Sequence, residues 1–183
     1  MKFDVVIIGG GKSGTLAAYK LARAGKRCAV VSAGHCLGKT FRREFIALGG
    51  TFLNGDRVTG GNVEGGRVQY VRTENLGENT VLEAGHFILC TGKFFSRGLI
   101  STIANIYEPV FGCDVLYAQD RSEWTVDDFF AKQPFENFGL RVDDSSRVYV
   151  GGNVISNLYA AGEILAGEVD IEQSVEKVCR NII

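Results

Sequence analysis

The chain has 183 residues, 45% of them hydrophobic and 22% charged, with a formal net charge of −1. This is enough apolar material for one core of ordinary size, and with no Pro-rich or Ser-rich linker to divide it, a single domain over 1–183 is expected. Lys and Arg are scattered, which excludes a continuous basic stripe for nucleic acid, and no apolar run approaches the ~20 residues of a membrane span.

The first element is the apolar strand Val5 to Ile8, too short for a signal core, so a cytoplasmic location is expected. A glycine turn follows it. Gly9, Gly11 and Gly14 complete a G-x-G-x-x-G spacing between this strand and a helix that carries Ala17, Ala18, Leu21 and Ala24 on one face. Each glycine has its own mechanical task. Gly9 turns the chain sharply, Gly11 has no Cβ to block a pyrophosphate, and Gly14 lets the helix pack close to the strand. The free amides of the first turn, where Ser13 stands, would face the phosphate, the helix dipole adds about 0.3–1 kcal/mol of attraction, and the Lys12 side chain is either solvated or adds a charge near the pyrophosphate. The letters Gly11-Lys12-Ser13 suggest a P-loop, but Val6 stands where that motif needs a glycine.

A second strand ends at Ser32. Beyond it, 39–48 reads as a helix with Phe41, Phe45 and Leu48 on one face, ended by Gly49-Gly50, and Thr51 to Leu53 as a short parallel strand. From Arg57 to Ala84, alternating Val and Tyr between glycine pairs predicts an antiparallel β-meander with tight turns. Residues 86–92 (HFILCTG) predict a buried strand running into a glycine. The Phe-rich stretch 93–137 shows no usable period. Residues 138–143 and 147–150 predict a hairpin, 157–163 (NLYAAGE) another strand with a glycine stop, and Asp170 the cap of a last helix ending at Ile182.

Strands that end in a small residue and glycine bring main chain to the carboxyl edge of a sheet, where open α/β sheets bind ligands. The order βαβ, meander, then Thr91-Gly92 and Gly162-Glu163 resembles the FAD-binding domain of the two-dinucleotide-fold flavoproteins. That resemblance implies a Rossmann-like FAD/NAD(P)-binding three-layer α/β fold, with helices on one face of a parallel sheet and the meander on the other. It also implies that Thr91 and Gly92 lie beside the dinucleotide, that Glu163 accepts hydrogen bonds from the ribityl chain, and that the backbone of Val58 touches the adenine. The segments GKFFSRGLI (92–100), EPVFGCDV (108–115), DDFFAKQPFENFGLRVD (127–143) and NLYAAGEILAG (157–167) are similar to the B-type subunit of anaerobic glycerol-3-phosphate dehydrogenase. This resemblance implies a flavin-containing subunit that passes electrons from glycerol 3-phosphate oxidation, carried out in a companion subunit, toward membrane quinone.

The chain departs from that pattern in three places. The family's long middle section is missing between the second strand and the helix before Gly49. Ser32 stands where flavoproteins present a Glu to the ribose, and a charge-assisted bond there contributes about 1.5–3 kcal/mol, so weaker FAD binding or a preference for FMN is expected. The last helix opens with Glu168, Asp170 and Glu172, which suit its dipole but repel a nearby anion. Two readings therefore stay open: an electron-transfer subunit holding FAD or FMN and docking on a companion subunit or a second copy, peripheral to the membrane through its partner, or a binding module that kept the scaffold and lost the cofactor. A free NAD-dependent reductase fits poorly, because this length leaves little chain for a substrate domain.

Among single residues, no chemistry-bearing neighbour at a recognisable spacing gives His35 or His86 a catalytic role. The five cysteines occur singly, which points to reduced core thiols and to no metal site. Lys39, Arg42 and Arg43 share a helix face and read as solvated. Trp124, Phe129, Phe130, Phe135 and Phe138 read as core, with a partner-docking patch or a flavin wall as rivals.

Overall fold

The structure is a computed structural model that describes residues 1–34 and 38–183, with backbone alone at 39. His35 and Cys36 lie outside the described residues. Strand β1 (Lys2–Ile8), helix α1 (Lys12–Arg23) and strand β2 (Cys28–Ser32) form the first βαβ unit, with β1 and β2 parallel. Helix α2 (Lys39–Ala47) leads to β3 (Thr51–Asn54), parallel to β2. Strands β4 (Arg57–Glu64), β5 (Arg67–Asn75) and β6 (Glu78–Leu89) make the antiparallel meander.

The segment from 86 onward is not a separate strand. Up to Glu83, β6 pairs antiparallel with β5; its remainder runs parallel to β1 and to β12 (Asn153–Ala160). One strand thus serves the meander and then the central sheet, because nothing between Leu82 and His86 breaks extended backbone. Within the meander, Gly60-Gly61 sits inside β4 and the turn falls at Gly65-Gly66. Gly61 is needed there for packing: a Cβ would stand 2.1 Å from the Phe111 ring.

The segment 93–137 contributes short pieces: β7 (Ile100–Ser101) paired with β8 (Ile106–Tyr107), then β9 (Val115–Leu116) paired with β10 (Gly139–Leu140), and two 3-10 turns at Arg121–Trp124 and Pro134–Asn137. The expected hairpin around 143–146 shrinks to one bridge, Val142 to Val148, because β11 (Arg147–Val150) pairs with β12 instead. Its turn nevertheless forms, with the Asp143 carboxylate accepting from the amides of Ser145 and Arg147. The sheet order is β11-β12-β6-β1-β2-β3, so the parallel strands β12, β6, β1, β2 and β3 run side by side.

Two apolar layers flank this sheet. On one face α1, α2 and α3 (Ile171–Ile182) pack through Ala17, Ala18, Leu21, Phe45, Val175 and Val178. On the other, Val68, Val71 and Leu82 of the meander join Trp124, Phe138 and Leu140. Some predicted faces shift. Ala24 is exposed and caps the end of α1, while Ala22 takes the buried position. Of the described side chains of α2 only Phe45 is buried; Phe41 and, just past its end, Leu48 face out. Asp170 caps α3 as expected, its side chain accepting from the Gln173 amide at 3.0 Å.

Candidate functional site

The carboxyl ends of four strands meet at the start of α1. The Gly9 amide donates to Val31 O at the end of β2, Cys90 N donates to Ile8 O, and Ala161 N donates to Leu89 O. These bonds bring the glycine loop, Ser32, Thr91-Gly92 and Gly162-Glu163 to one edge of the sheet.

The glycines there do different work. Gly9 has φ 107, and a Cβ on it would stand 2.3 Å from Cys90 O. At Gly14 a Cβ would stand 1.8 Å from Gly9 O, so α1 sits against the loop at a separation only glycine permits. Gly11 is the opposite: among the described residues, nothing lies within 4 Å of its Cβ position. Gly11 also opens α1 with no side-chain cap and no acidic residue in the first turn, which leaves the leading amides for an external anion. The loop itself is braced by Thr15, whose hydroxyl donates to Gly10 O at 3.1 Å.

Around this opening, Ser13 is buried and Lys12 exposed. Gly162 (φ 81) packs so closely that a Cβ would meet Ser13 Oγ at 1.8 Å, and its amide donates to Ser174 Oγ of α3. The last motif therefore touches the first turn of α1 directly. Thr91 carries a buried Oγ1 with no partner among the described residues, beside the Gly9 turn. Gly92 has φ 68, with Ser96 over it. Ser32 is buried and its hydroxyl donates to Gly34 O at 2.9 Å, so only its lone pairs remain to meet a ligand hydroxyl. Val58 lies in β4 opposite Thr73, three residues after Gly55, whose amide donates to Ser32 O. Glu163 is exposed and lines a cavity of about 300 Å³ next to Lys93, Phe94, Ser96 and Phe135. An open glycine, a bare helix start and an orphaned hydroxyl suit a dinucleotide laid along this edge.

At the cavity end, sequence reasoning names Glu163 and offers Phe135 as a flavin wall, but it misses Lys93. Lys93 lines the cavity and Gly98 braces the loop that carries Lys93, and the only available signal was that KFFSRG follows Thr91-Gly92 directly. The aromatic set divides rather than acting as one core. Trp124 and Phe138 are buried and Phe135 lines the cavity, while Phe129 and Phe130 are 86% and 94% exposed. His86 is a mid-strand residue of β6; burial, with Arg67 and Lys26 nearby, lowers its pKa. Burial pushes the Cys28 thiol up to about 12 and that of Cys179 to about 11, and Cys90 and Cys113 also rise, so these four free cysteines are inert core thiols. Arg42 lies over the Phe52 ring at 5.4 Å. Among the described residues no group of side chains could hold a metal ion, and no helix is long and apolar enough to cross a membrane.

The profile of the FAD binding domain family matches residues 4–41 and 34–174. The chain belongs to this family. That membership supports FAD over FMN as the flavin. The B-type subunit of anaerobic glycerol-3-phosphate dehydrogenase from Haemophilus ducreyi is 36% identical over 140 residues, covering 74% of this chain and 33% of that protein. The same subunit from Haemophilus influenzae is 38% identical over 131 residues, 69% of this chain and 30% of that one. The chain thus spans about a third of the length of the curated relatives it matches. Among solved structures, THI4 of Thermovibrio ammonificans superposes with TM-score 0.58 at 18% identity, over 99% of this chain and 88% of that chain, which shows a shared fold.

Proposed function

We propose that this member of the FAD-binding family holds FAD along the strand edge and works as an electron-transfer subunit of a glycerol-3-phosphate dehydrogenase-type complex. The observation that carries the reading is the convergence of three glycine-terminated strands on open main chain at Gly11. In this reading the first-turn amides of Ser13 and Gly14 hold the pyrophosphate, with the exposed Lys12 adding charge. Thr91 supplies its unpaired hydroxyl beside the phosphates, and Gly92 and Gly162 keep the two flanking turns close. Glu163 accepts from ribityl hydroxyls, the Val58 backbone borders the adenine, and Ser32 offers one acceptor to the ribose. When bound, FAD supplies the redox chemistry, while the protein supplies orientation and electrostatics. Oxidation of glycerol 3-phosphate belongs to a companion subunit, which also provides any contact with the membrane.

A scaffold that has lost its cofactor is not favoured, because no described side chain fills the space over Gly11. The test is reconstitution of the purified chain with FAD, followed by gel filtration and a visible spectrum. The reading requires oxidised-flavin bands co-eluting with the protein near one per chain, and binding of the flavin-loaded protein to the companion dehydrogenase subunit. Bands without that binding would leave a flavoprotein but overturn the complex.

A further inference from the structure

The two motifs that flank the glycine loop run on into one cavity: Lys93 follows Gly92, Glu163 follows Gly162, and both line it. Phe94, Phe95, Phe135 and Val169 supply apolar wall. About 300 Å³ is the low end of the range for ligand pockets, room for one fused ring system with apolar faces. Lys93 is the one cation among the described lining residues, against Glu136 and Glu163.

The loop that presents Lys93 is over-determined. Its carbonyl accepts from the Gly98 amide at 2.9 Å, and its Nζ donates to Glu136 O. Gly98 lies so close to the motif that a Cβ there would stand 1.9 Å from Gly92 O and 2.7 Å from Thr91 Oγ1. Arg97 is held at φ 60, a left-handed conformation that non-glycine residues keep only when their surroundings impose it.

We propose that Lys93 is a positioning residue for charge at the redox end of the site, its ammonium set against the single negative charge that a flavin ring seated in this cavity carries after two electrons and one proton. This rests on the FAD reading above. Charge beside the ring tunes its electronics, and the half-buried setting strengthens the effect relative to water. Burial holds the Lys93 pKa below the usual lysine range, while Glu163 and Glu136 act in the opposite sense. The same two carboxylates disfavour a phosphate dianion here, since repulsion grows with the charge of the guest and is weakest for one delocalised charge.

The experiment measures FAD affinity and reduction potential for the native chain, Lys93→Gln and Lys93→Arg, with dithionite as reductant and reference dyes. In Lys93→Gln, oxidised FAD should bind within about threefold of native, whereas the reduced form loses about tenfold relative to it, about 30 mV for this two-electron couple. Lys93→Arg should restore most of the potential. Equal potentials in native and Lys93→Gln would overturn the role of Lys93 alone; failure of the native chain to bind FAD would overturn the FAD reading as well. A second measurement needs no variant: acetic anhydride should label Lys93 at least tenfold more slowly in the FAD-loaded native chain, with Lys177 unaffected. Unchanged labelling of Lys93 would also overturn the proposal.

Discussion

At the glycine-loop end of the cleft, main chain rests on main chain or on a short side chain: Gly14 on Gly9, Gly9 on Cys90, and Gly162 on Ser13. At the cavity end, side chains from an irregular stretch make much of the wall, held by individual bonds such as that from Lys93 to Glu136 O. The difference teaches where each end is vulnerable. The first tolerates no added carbon at Gly9, Gly14 or Gly162 and leaves Gly11 open, while the second tolerates changes of shape and responds to changes of charge.

The sharpest way to break this contrast is Gly14→Ala. Its Cβ would meet Gly9 O at 1.8 Å, so α1 must move off the loop. The expected cost is about 3 kcal/mol, a fall in Tm of roughly 6–12 °C by calorimetry. A native-like Tm would show that the close approach is not structural. Gly11→Ala is the matched control. With nothing described within 4 Å and φ −70, it should leave Tm within about 3 °C yet weaken FAD at least tenfold in a fluorescence titration. Equal FAD affinity in this variant would mean that the pyrophosphate does not rest there. At the cavity end, Asp170→Ala removes the cap of α3 beside Val169, and about 1 kcal/mol of stability should go in chemical denaturation, with FAD affinity little changed. The smallest effect is expected of Ser32→Ala. Because that hydroxyl is already spent on Gly34 O, FAD affinity should change by less than about threefold. A larger loss would mean that the one acceptor Ser32 offers the ribose carries more of the affinity than a single neutral hydrogen bond.

The glycine-loop end was legible because each close approach leaves a letter in the sequence: only glycine fits at 9, 14 and 162. The caps and turns were readable for a similar reason, since Asp170 and Asp143 accept from backbone amides two to four residues ahead. The stretch 93–137 was not, because its order comes from single contacts without a period. Glu108 is buried and accepts from the amides of Val110 and Phe111, and the Trp124 indole donates to Ala118 O. Such bonds fix a chain as firmly as a helix does, but no spacing announces them. The division of the five aromatics was hidden for the same reason. Exposure of Phe129 and Phe130 depends on a loop path set by Gln133, which donates to Asp128 O and accepts from the Val126 amide.

The most direct test of the central claim is a calorimetric titration of the purified chain with FAD, repeated in the presence of ADP. An anion seat at Gly11 predicts one FAD per chain and competition by ADP, which carries the adenine, ribose and diphosphate but no flavin ring. A folded native chain that takes up no FAD, or one whose FAD binding ADP does not disturb, would contradict it.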